Sequence, residues 1–311
     1  MKPSAHRFVG DMFLAWLDAP VPFLRLELVR IGAPLAILGF MSSRVAHADE
    51  WLGDAGFRVP DLGRSDYRQP LYLASLSSTT AWIVAGVLVA SGLAVAIGWK
   101  PRWAAGIFAI VTAYVALSDR LAAFSVSKMA PVVAIALAAS PCGARWSVDA
   151  WLARRRDPRV KLPKTITSGS VRFFQLLLPT IYCASGIAKA KGDWLKHSHV
   201  LWTHLHDTYQ TSVTVALANL LPAPAWTLLQ AFTLIFETFA PIWFLWKRSR
   251  TAAFLWAISM HAMIGLMFGP VRWFALLMAT LLAGAYMPEP WLTKLRKAIR
   301  RRAVRHSRHV A

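Results

Sequence analysis

The sequence is poor in cysteine and in acidic residues. Its 311 residues include 2 Cys, and 15 Asp and Glu against 35 Lys and Arg. Cys142 and Cys183 stand inside or at the end of apolar segments, which disfavours a disulfide framework and predicts buried free thiols. The excess of basic residues flanks hydrophobic stretches instead of forming a separate patch. This placement indicates membrane orientation and disfavours nucleic-acid binding.

Several short motifs of catalysis are also absent. The chain has no Walker loop, no GxGxxG after a strand, no GxSxG elbow, no CxxC and no HExxH. Phosphate-loop enzymes, Rossmann dehydrogenases, serine hydrolases and zincin proteases therefore lack the sequences on which their chemistry depends.

What the sequence does contain is long apolar stretches. Hydrophobic residues make up 56% of the chain and charged residues 16%, and several stretches are apolar on every face over about 18 residues, the length that crosses a bilayer. We predict an all-α polytopic transmembrane bundle of about eight spans with interfacial helices. The predicted spans are 22–43, 79–99, 103–118, 127–139, 171–189, 222–246, 251–268 and 271–286.

The charged and proline-broken segments divide the chain. We predict a transmembrane domain over 1–288, with its two halves joined by a basic linker near 144–172, and a basic amphipathic cytoplasmic tail over 289–311. The segment 44–78 is predicted to be a polar loop. An N-terminal leader is disfavoured, and the first twenty residues are predicted to form an interfacial helix.

The distribution of Lys and Arg predicts the orientation. With the N-terminus inside, the inner segments hold 23 of the 35 basic residues, so both termini are expected in the cytoplasm, beside an anionic inner leaflet. The segments after the fifth span and around Arg272 are then expected on the outer side.

Ionisable residues at membrane depth pair, face a wet cavity or take part in function. The charges at 25–30 in the first span are spaced for an internal salt bridge or for snorkelling. Lys189 either snorkels to the outer interface or acts as a general base after losing its proton in a dry site. Glu237 and His261 have no polar neighbours in their own helices, which leaves either an interhelical hydrogen bond or a catalytic role.

The segment after the fifth span is rich in histidine and tryptophan. Its HxH pair recurs at a spacing of seven, which returns to one side of a helix and is a weak indication of a metal site; the alternative is an amphipathic interfacial helix. The four histidines are His197, His199, His204 and His206. Trp194 begins the segment and belongs either to an aromatic belt or to a quinone site.

Four stretches of the chain resemble a known family in their order and spacing. They are RWSVDAWL at 145–152, SGIAKAKGDW at 185–194, FET at 236–238 and SMH at 259–261. Together they resemble the vitamin K-dependent gamma-carboxylase-like family, called the HTTM domain in bacteria. The resemblance covers most of the chain and implies a multi-pass protein of the bacterial inner membrane.

The resemblance implies a site on the outer, periplasmic side. Lys189 matches the lysine taken as the base that deprotonates vitamin K hydroquinone, and His261 matches a histidine of the same family stretch. The expected function is oxidoreductase-like chemistry on a quinol or another lipid-soluble molecule, with a quinone as candidate cofactor. Glu237 and His261 would orient the reacting groups, and Arg120 or Arg272 would stabilise an oxyanion.

Two departures from the carboxylase limit this expectation. The carboxylase has a histidine where this sequence has Val126, Ser127 and Lys128, and we expect no counterpart of the large lumenal domain that grips the glutamate substrate. We therefore expect no glutamate carboxylation. The alternative is a non-catalytic membrane partner for the maturation, export or immunity of a secreted peptide or of the protein that modifies it.

Overall fold

The computed structural model describes residues 5–56, 73–118 and 124–309. Helices account for most of this part of the chain, which confirms the all-α class. The helices of the first half are α1 (Ala5–Asp18), α2 (Leu24–Ala46), α3 (Ala48–Trp51), α4 (Ser78–Ile97), α5 (Pro101–Ser118), α6 (Ser125–Ala138) and α7 (Val148–Arg156). Those of the second half are α8 (Gly169–Lys191), α9 (Val200–His204), α10 (Ser212–Leu220), α11 (Ala223–Thr238), α12 (Ala240–Leu245), α13 (Arg250–Met267), α14 (Arg272–Tyr286) and α15 (Glu289–His309).

Four of these helices are long and apolar enough to cross a membrane: α4, α5, α8 and α13. The pair α10 and α11, bent by 112°, and the pair 269–286 and 289–299, bent by 108°, raise the number to six if each pair is one span. The described residues thus give four to six candidate spans, and the predicted number of about eight is not confirmed. α6 is apolar but only 14 residues long.

The predicted span 222–246 is wrong as a single helix. It consists of α11 and α12, separated at Phe239. Pro241 explains the break, because its ring lacks an N–H and would clash with the carbonyl of residue 237 in a continuous helix. Upstream of it lies α10, in a stretch for which the sequence predicts no element.

Two predicted connections contain regular structure. The segment 44–78 includes the end of α2 and the short α3, and the linker 144–172 includes α7. The linker also contributes β2 (Thr165–Thr167), which pairs antiparallel with β1 (Pro20–Pro22). The two proline residues of β1 fit a short two-stranded ribbon, where few ladder hydrogen bonds are needed.

The core lies between helices of both halves, with α2 packed on α14 and α8 packed on α11. Small residues permit the closest approaches. At Gly284 in α14, an added Cβ would lie 2.9 Å from the carbonyl oxygen of Arg25 in α2. A larger residue at this position would push the two helices apart.

A buried ion pair lies in the first half of α2. Glu27 is 1% exposed and Arg30 0% exposed, and the Nη2 atom of Arg30 lies 2.8 Å from Oε2 of Glu27. This confirms the internal salt bridge as one of the two arrangements expected for these charges. Arg25 instead donates to the carbonyls at the end of α14 and pairs with Glu289.

Candidate functional site

Lys189 and Glu237 form an ion pair between the end of α8 and the end of α11. The Nζ atom of Lys189 lies 2.6 Å from both carboxylate oxygens of Glu237. The Glu237 side chain is 7% exposed and that of Lys189 is 26% exposed. The carboxylate is therefore buried behind the lysine, and the ammonium group is the more accessible of the two.

The backbone around the pair explains how two residues 48 positions apart meet. Gly186 lies one turn before Lys189, and an added Cβ there would come within 2.7 Å of the Cα atom of Thr238. Only glycine allows α8 and α11 to approach this closely. The break imposed by Pro241 ends α11 one residue after Glu237, so the carboxylate stands at a helix end.

Trp194 covers the lysine from the other side. The ammonium lies 4.7 Å from the centroid of the Trp194 ring, within the range of a cation–π contact. The segment that carries this tryptophan is held by Gln230 of α11, which is 3% exposed. Its amide group donates to the carbonyls of Trp194 and His197 and accepts from the backbone N–H of Leu201.

The pair lies at one end of a cavity of about 500 Å³. α10, α11, α13 and the segment 194–209 supply most of the wall, which is largely leucine, methionine and aromatic. Trp226, 3% exposed, packs with Leu205 and Met267 in a small separate core beside the cavity. The cavity is therefore largely apolar, with Lys189, Glu237 and Trp194 in its wall and further polar side chains on the segment 194–209. This is the composition expected for a site that binds a largely apolar small molecule.

His261 lies in the bundle beside the site but is not among the residues that line the cavity. It is 2% exposed, and its Nε2 atom lies 2.7 Å from the hydroxyl of Tyr182 in α8. Its Nδ1 atom is buried without a hydrogen-bond partner among the described residues. The histidine thus joins α13 to α8 by an interhelical hydrogen bond, one of the two arrangements that the sequence left open.

The other predicted residues are dispersed. Arg272 is exposed at the start of α14 with its guanidinium over Trp273, and it does not line the cavity. Arg120 lies outside the described residues. Of the four histidines, all exposed, His204 lines the cavity, whereas His206 bonds the carbonyl of Trp202. Within the ranges described, no group of three His, Cys, Asp or Glu residues is placed to hold a metal ion.

Sequence reasoning missed Trp256, which lines the cavity, and also Gln230 and Tyr182, which hold the segment of Trp194 and the buried His261. A single glutamine within the apolar α11 was a usable signal, because a buried amide requires hydrogen-bond partners. Tyr182 lies two turns before Lys189 on the same helix face, which was also visible in the spacing. Trp256 gave no signal, since its place in the cavity wall depends on how α13 packs.

The arrangement can bind a molecule that combines an apolar body with an acidic hydroxyl or an anionic oxygen. Lys189 offers a hydrogen-bond donor and a positive charge, and Glu237 behind it offers a proton acceptor. The largely apolar wall and the burial of the carboxylate lower the local polarity, so electrostatic contacts at the pair are stronger than at an open surface. The positive charge of Lys189 and the proton acceptor Glu237 are thus adjacent in the wall of the cavity.

Comparison with known proteins identifies one family. No curated protein and no solved structure shows significant similarity to the chain. The family model described as the HTTM domain matches residues 51–290, a range that includes the α8–α11 ion pair, the loop of Trp194 and all of α13. The chain therefore belongs to the HTTM-domain family of multi-pass membrane proteins.

Proposed function

We propose that this protein is a membrane enzyme that binds a quinol, or a similar lipid-soluble molecule with an acidic hydroxyl, and removes the proton of that hydroxyl at Lys189. The observation that carries the proposal is the partly exposed Lys189 side chain, held at the apolar cavity by a buried carboxylate. An apolar ring and tail would fill the chamber, and the hydroxyl would meet the lysine.

The ion pair suggests how the proton moves. The hydroxyl gives its proton to Nζ of Lys189 while Nζ gives one of its own protons to Glu237. The oxyanion that forms then lies against the ammonium, and the carboxyl group is neutral. No electron moves in this step, but a deprotonated quinol is more readily oxidised, so the step suits oxidoreductase chemistry with a quinone as cofactor. Glutamate carboxylation is not part of the proposal.

We further propose that the site faces the periplasm, in a bacterial inner membrane and an eight-span arrangement with both termini in the cytoplasm. α8 has 23 residues and is about 34 Å long, enough to cross the hydrocarbon core. Lys189 is near its far end, and the arginine-rich end of α7 precedes its start. The positive-inside rule assigns the arginine-rich end to the cytoplasm.

A chromogenic phenol tests the deprotonation. An alkylated nitrophenol absorbs visible light only as its anion, so purified protein in detergent would be mixed with it at about one pH unit below the solution pKa of the probe. We expect the wild-type protein to raise the anion band above the level of the free probe, about a tenth of which is already ionised at that pH, and Lys189→Met to abolish the increase. Lys191→Met is the matched control, since Lys191 is exposed two residues further along α8.

If Lys189→Met binds the probe and raises its anion band as the wild-type protein does, Lys189 is not the group that takes the proton. The alternative, a non-catalytic partner of a secreted peptide or of its modifying protein, would then be favoured, because that role requires the fold but not the ion pair. Mass spectrometry of quinones retained by the purified protein would support the enzyme if the retained species are lost in Lys189→Met.

A further inference from the structure

A second pocket lies at the ends of two candidate spans. It has a volume of about 890 Å³ and is formed by the turn between α4 and α5 and by the segment after α6. Its wall includes Lys100, Arg102, Trp103 and Asp149. None of these residues lines the cavity at Lys189. Because α4 and α5 are apolar over 20 and 18 residues, a pocket at their ends lies at the surface of the membrane.

The wall of this pocket is rigid. Both carboxylate oxygens of Asp149 accept from the backbone N–H of Lys100, at 3.1 and 3.0 Å, and the N–H of Asp149 donates to the carbonyl of Gly98. Lys100 has a φ of 42°, a left-handed conformation that is unfavourable for a lysine. The chain thus keeps a basic residue at a turn position where glycine or asparagine would be less strained.

The charged and aromatic groups of the pocket are accessible. Lys100 and Arg102 are exposed, and the Nε atom of Arg102 donates to the carbonyl of Ala138, which fixes the guanidinium at the wall. The carboxylate of Asp149, which also lines the pocket, accepts a bifurcated hydrogen bond from the N–H of Lys100, so the pocket carries two cations against one carboxylate. The pocket therefore offers two cations to a ligand from outside.

Tryptophan marks the depth of the pocket in the bilayer. Trp103 is 79% exposed and Trp99, at the end of α4, is 52% exposed. Exposed indoles at the end of a span are typical of the headgroup level of a membrane, where the ring is half in lipid and its N–H meets water. A ligand at this depth can place a polar head in water and an apolar body in the bilayer.

We propose that this pocket binds the phosphate headgroup of an anionic phospholipid, with Lys100 and Arg102 at the phosphate and Trp103 against the acyl chain. A lysine or arginine near an anionic membrane surface contributes about a fivefold gain in affinity. Two such residues on one rigid wall make the pocket selective for anionic over zwitterionic lipid, beyond the general attraction of a basic surface.

Lipid titration of the detergent-purified chain tests this site. Short-chain phosphatidylglycerol and phosphatidylcholine would each be added, and lipid adducts would be counted by native mass spectrometry. We expect phosphatidylglycerol to bind about tenfold more tightly than phosphatidylcholine. Lys100→Asn combined with Arg102→Gln should remove this preference. Asparagine tolerates the positive φ of residue 100, so the turn is retained.

The matched control is Lys247→Gln combined with Arg248→Gln. These exposed basic residues follow the exposed Trp246 at the end of another helix but line none of the described pockets. If this control loses the preference for phosphatidylglycerol to the same extent, the proposal is overturned, because the attraction of the lipid would then depend on the overall charge of the protein. If inorganic phosphate at the same concentration displaces phosphatidylglycerol, the lipid assignment is overturned in favour of a simple phosphate site.

Discussion

At the scale of residues, the ion pair between Lys189 and Glu237 contributes both to the stability of the fold and to the proposed proton transfer. Each charge is held away from water by the other, since the carboxylate is 7% exposed and the lysine side chain 26% exposed. Removing one partner leaves the other charge uncompensated, whereas removing both leaves an uncharged contact. The two residues are therefore expected to respond to substitution as one unit.

The first prediction is that Glu237→Gln and Lys189→Met are strongly non-additive. We expect Glu237→Gln alone to lower the free energy of unfolding by about 3 kcal/mol, and the double variant to recover at least half of that loss. Denaturant unfolding in detergent micelles measures all three variants. Strictly additive losses would mean that the two side chains do not interact in the folded protein.

The second prediction concerns the hydrogen bond between Tyr182 and His261. Tyr182→Phe deletes the hydroxyl and leaves both ring nitrogens of a 2%-exposed histidine without a partner. We expect a loss of about 1–3 kcal/mol in unfolding free energy, while nitrophenol binding changes by less than about twofold. A loss of probe binding in a protein of unchanged stability would contradict this and give the Tyr182–His261 pair a role in binding.

At the scale of elements, the contact between α8 and α11 sets the geometry of the ion pair. The third prediction is that Gly186→Ala forces the helices apart at Thr238. We expect the substitution to lower the free energy of unfolding by about 1–3 kcal/mol and to weaken binding of the nitrophenol probe. Gly86→Ala in α4 is the control, because an added Cβ there has no neighbour within 4 Å. It should be neutral or stabilise by up to about 1 kcal/mol. Equal effects of the two substitutions would contradict close packing at Gly186.

The elements differ in how far the sequence determined them. α4 and α5 match the predicted spans 79–99 and 103–118 within two residues, since each is an uninterrupted apolar run bounded by Gly98 and Pro101. The span 222–246 failed because its hydropathy continues across the break at Phe239, and hydropathy does not register the loss of one backbone N–H at Pro241. α10 was missed because it is short, with nine residues, and its neighbours determine its packing.

At the scale of the whole molecule, the two charged residues of the candidate site were recognisable in the sequence, but their pairing was not. Lys189 and Glu237 stood out because ionisable groups in apolar helices need partners. Which partner each has depends on the crossing of α8 and α11, a contact over 48 positions that no local pattern records. The chamber itself depends on α10 and α13 as well, so its volume and shape were beyond sequence reasoning.

The charged network of α2 joins distant parts of the molecule. Oε1 of Glu27 accepts from the backbone N–H groups of Arg145 and Trp146, at 2.9 and 3.1 Å. Arg30 donates to the carbonyls of Val95 and Ala96 at the end of α4 and to Trp146. One buried pair thus supplies partners for the end of α4 and for the segment that leads into α7.

The fourth prediction follows from that connection. Glu27→Gln leaves the fully buried guanidinium of Arg30 without a counter-ion, and we expect a loss of about 3–5 kcal/mol, seen as a lower melting temperature and a lower yield of folded protein. Glu50→Gln is the control, because its contact with His47 is 61% exposed on the glutamate side and should contribute under about 0.5 kcal/mol. Since Glu27 does not line the cavity, the folded fraction of Glu27→Gln should still bind the nitrophenol probe normally. A folded variant that fails to bind would show that the α2 network also determines the shape of the chamber, coupling the two ends of the molecule.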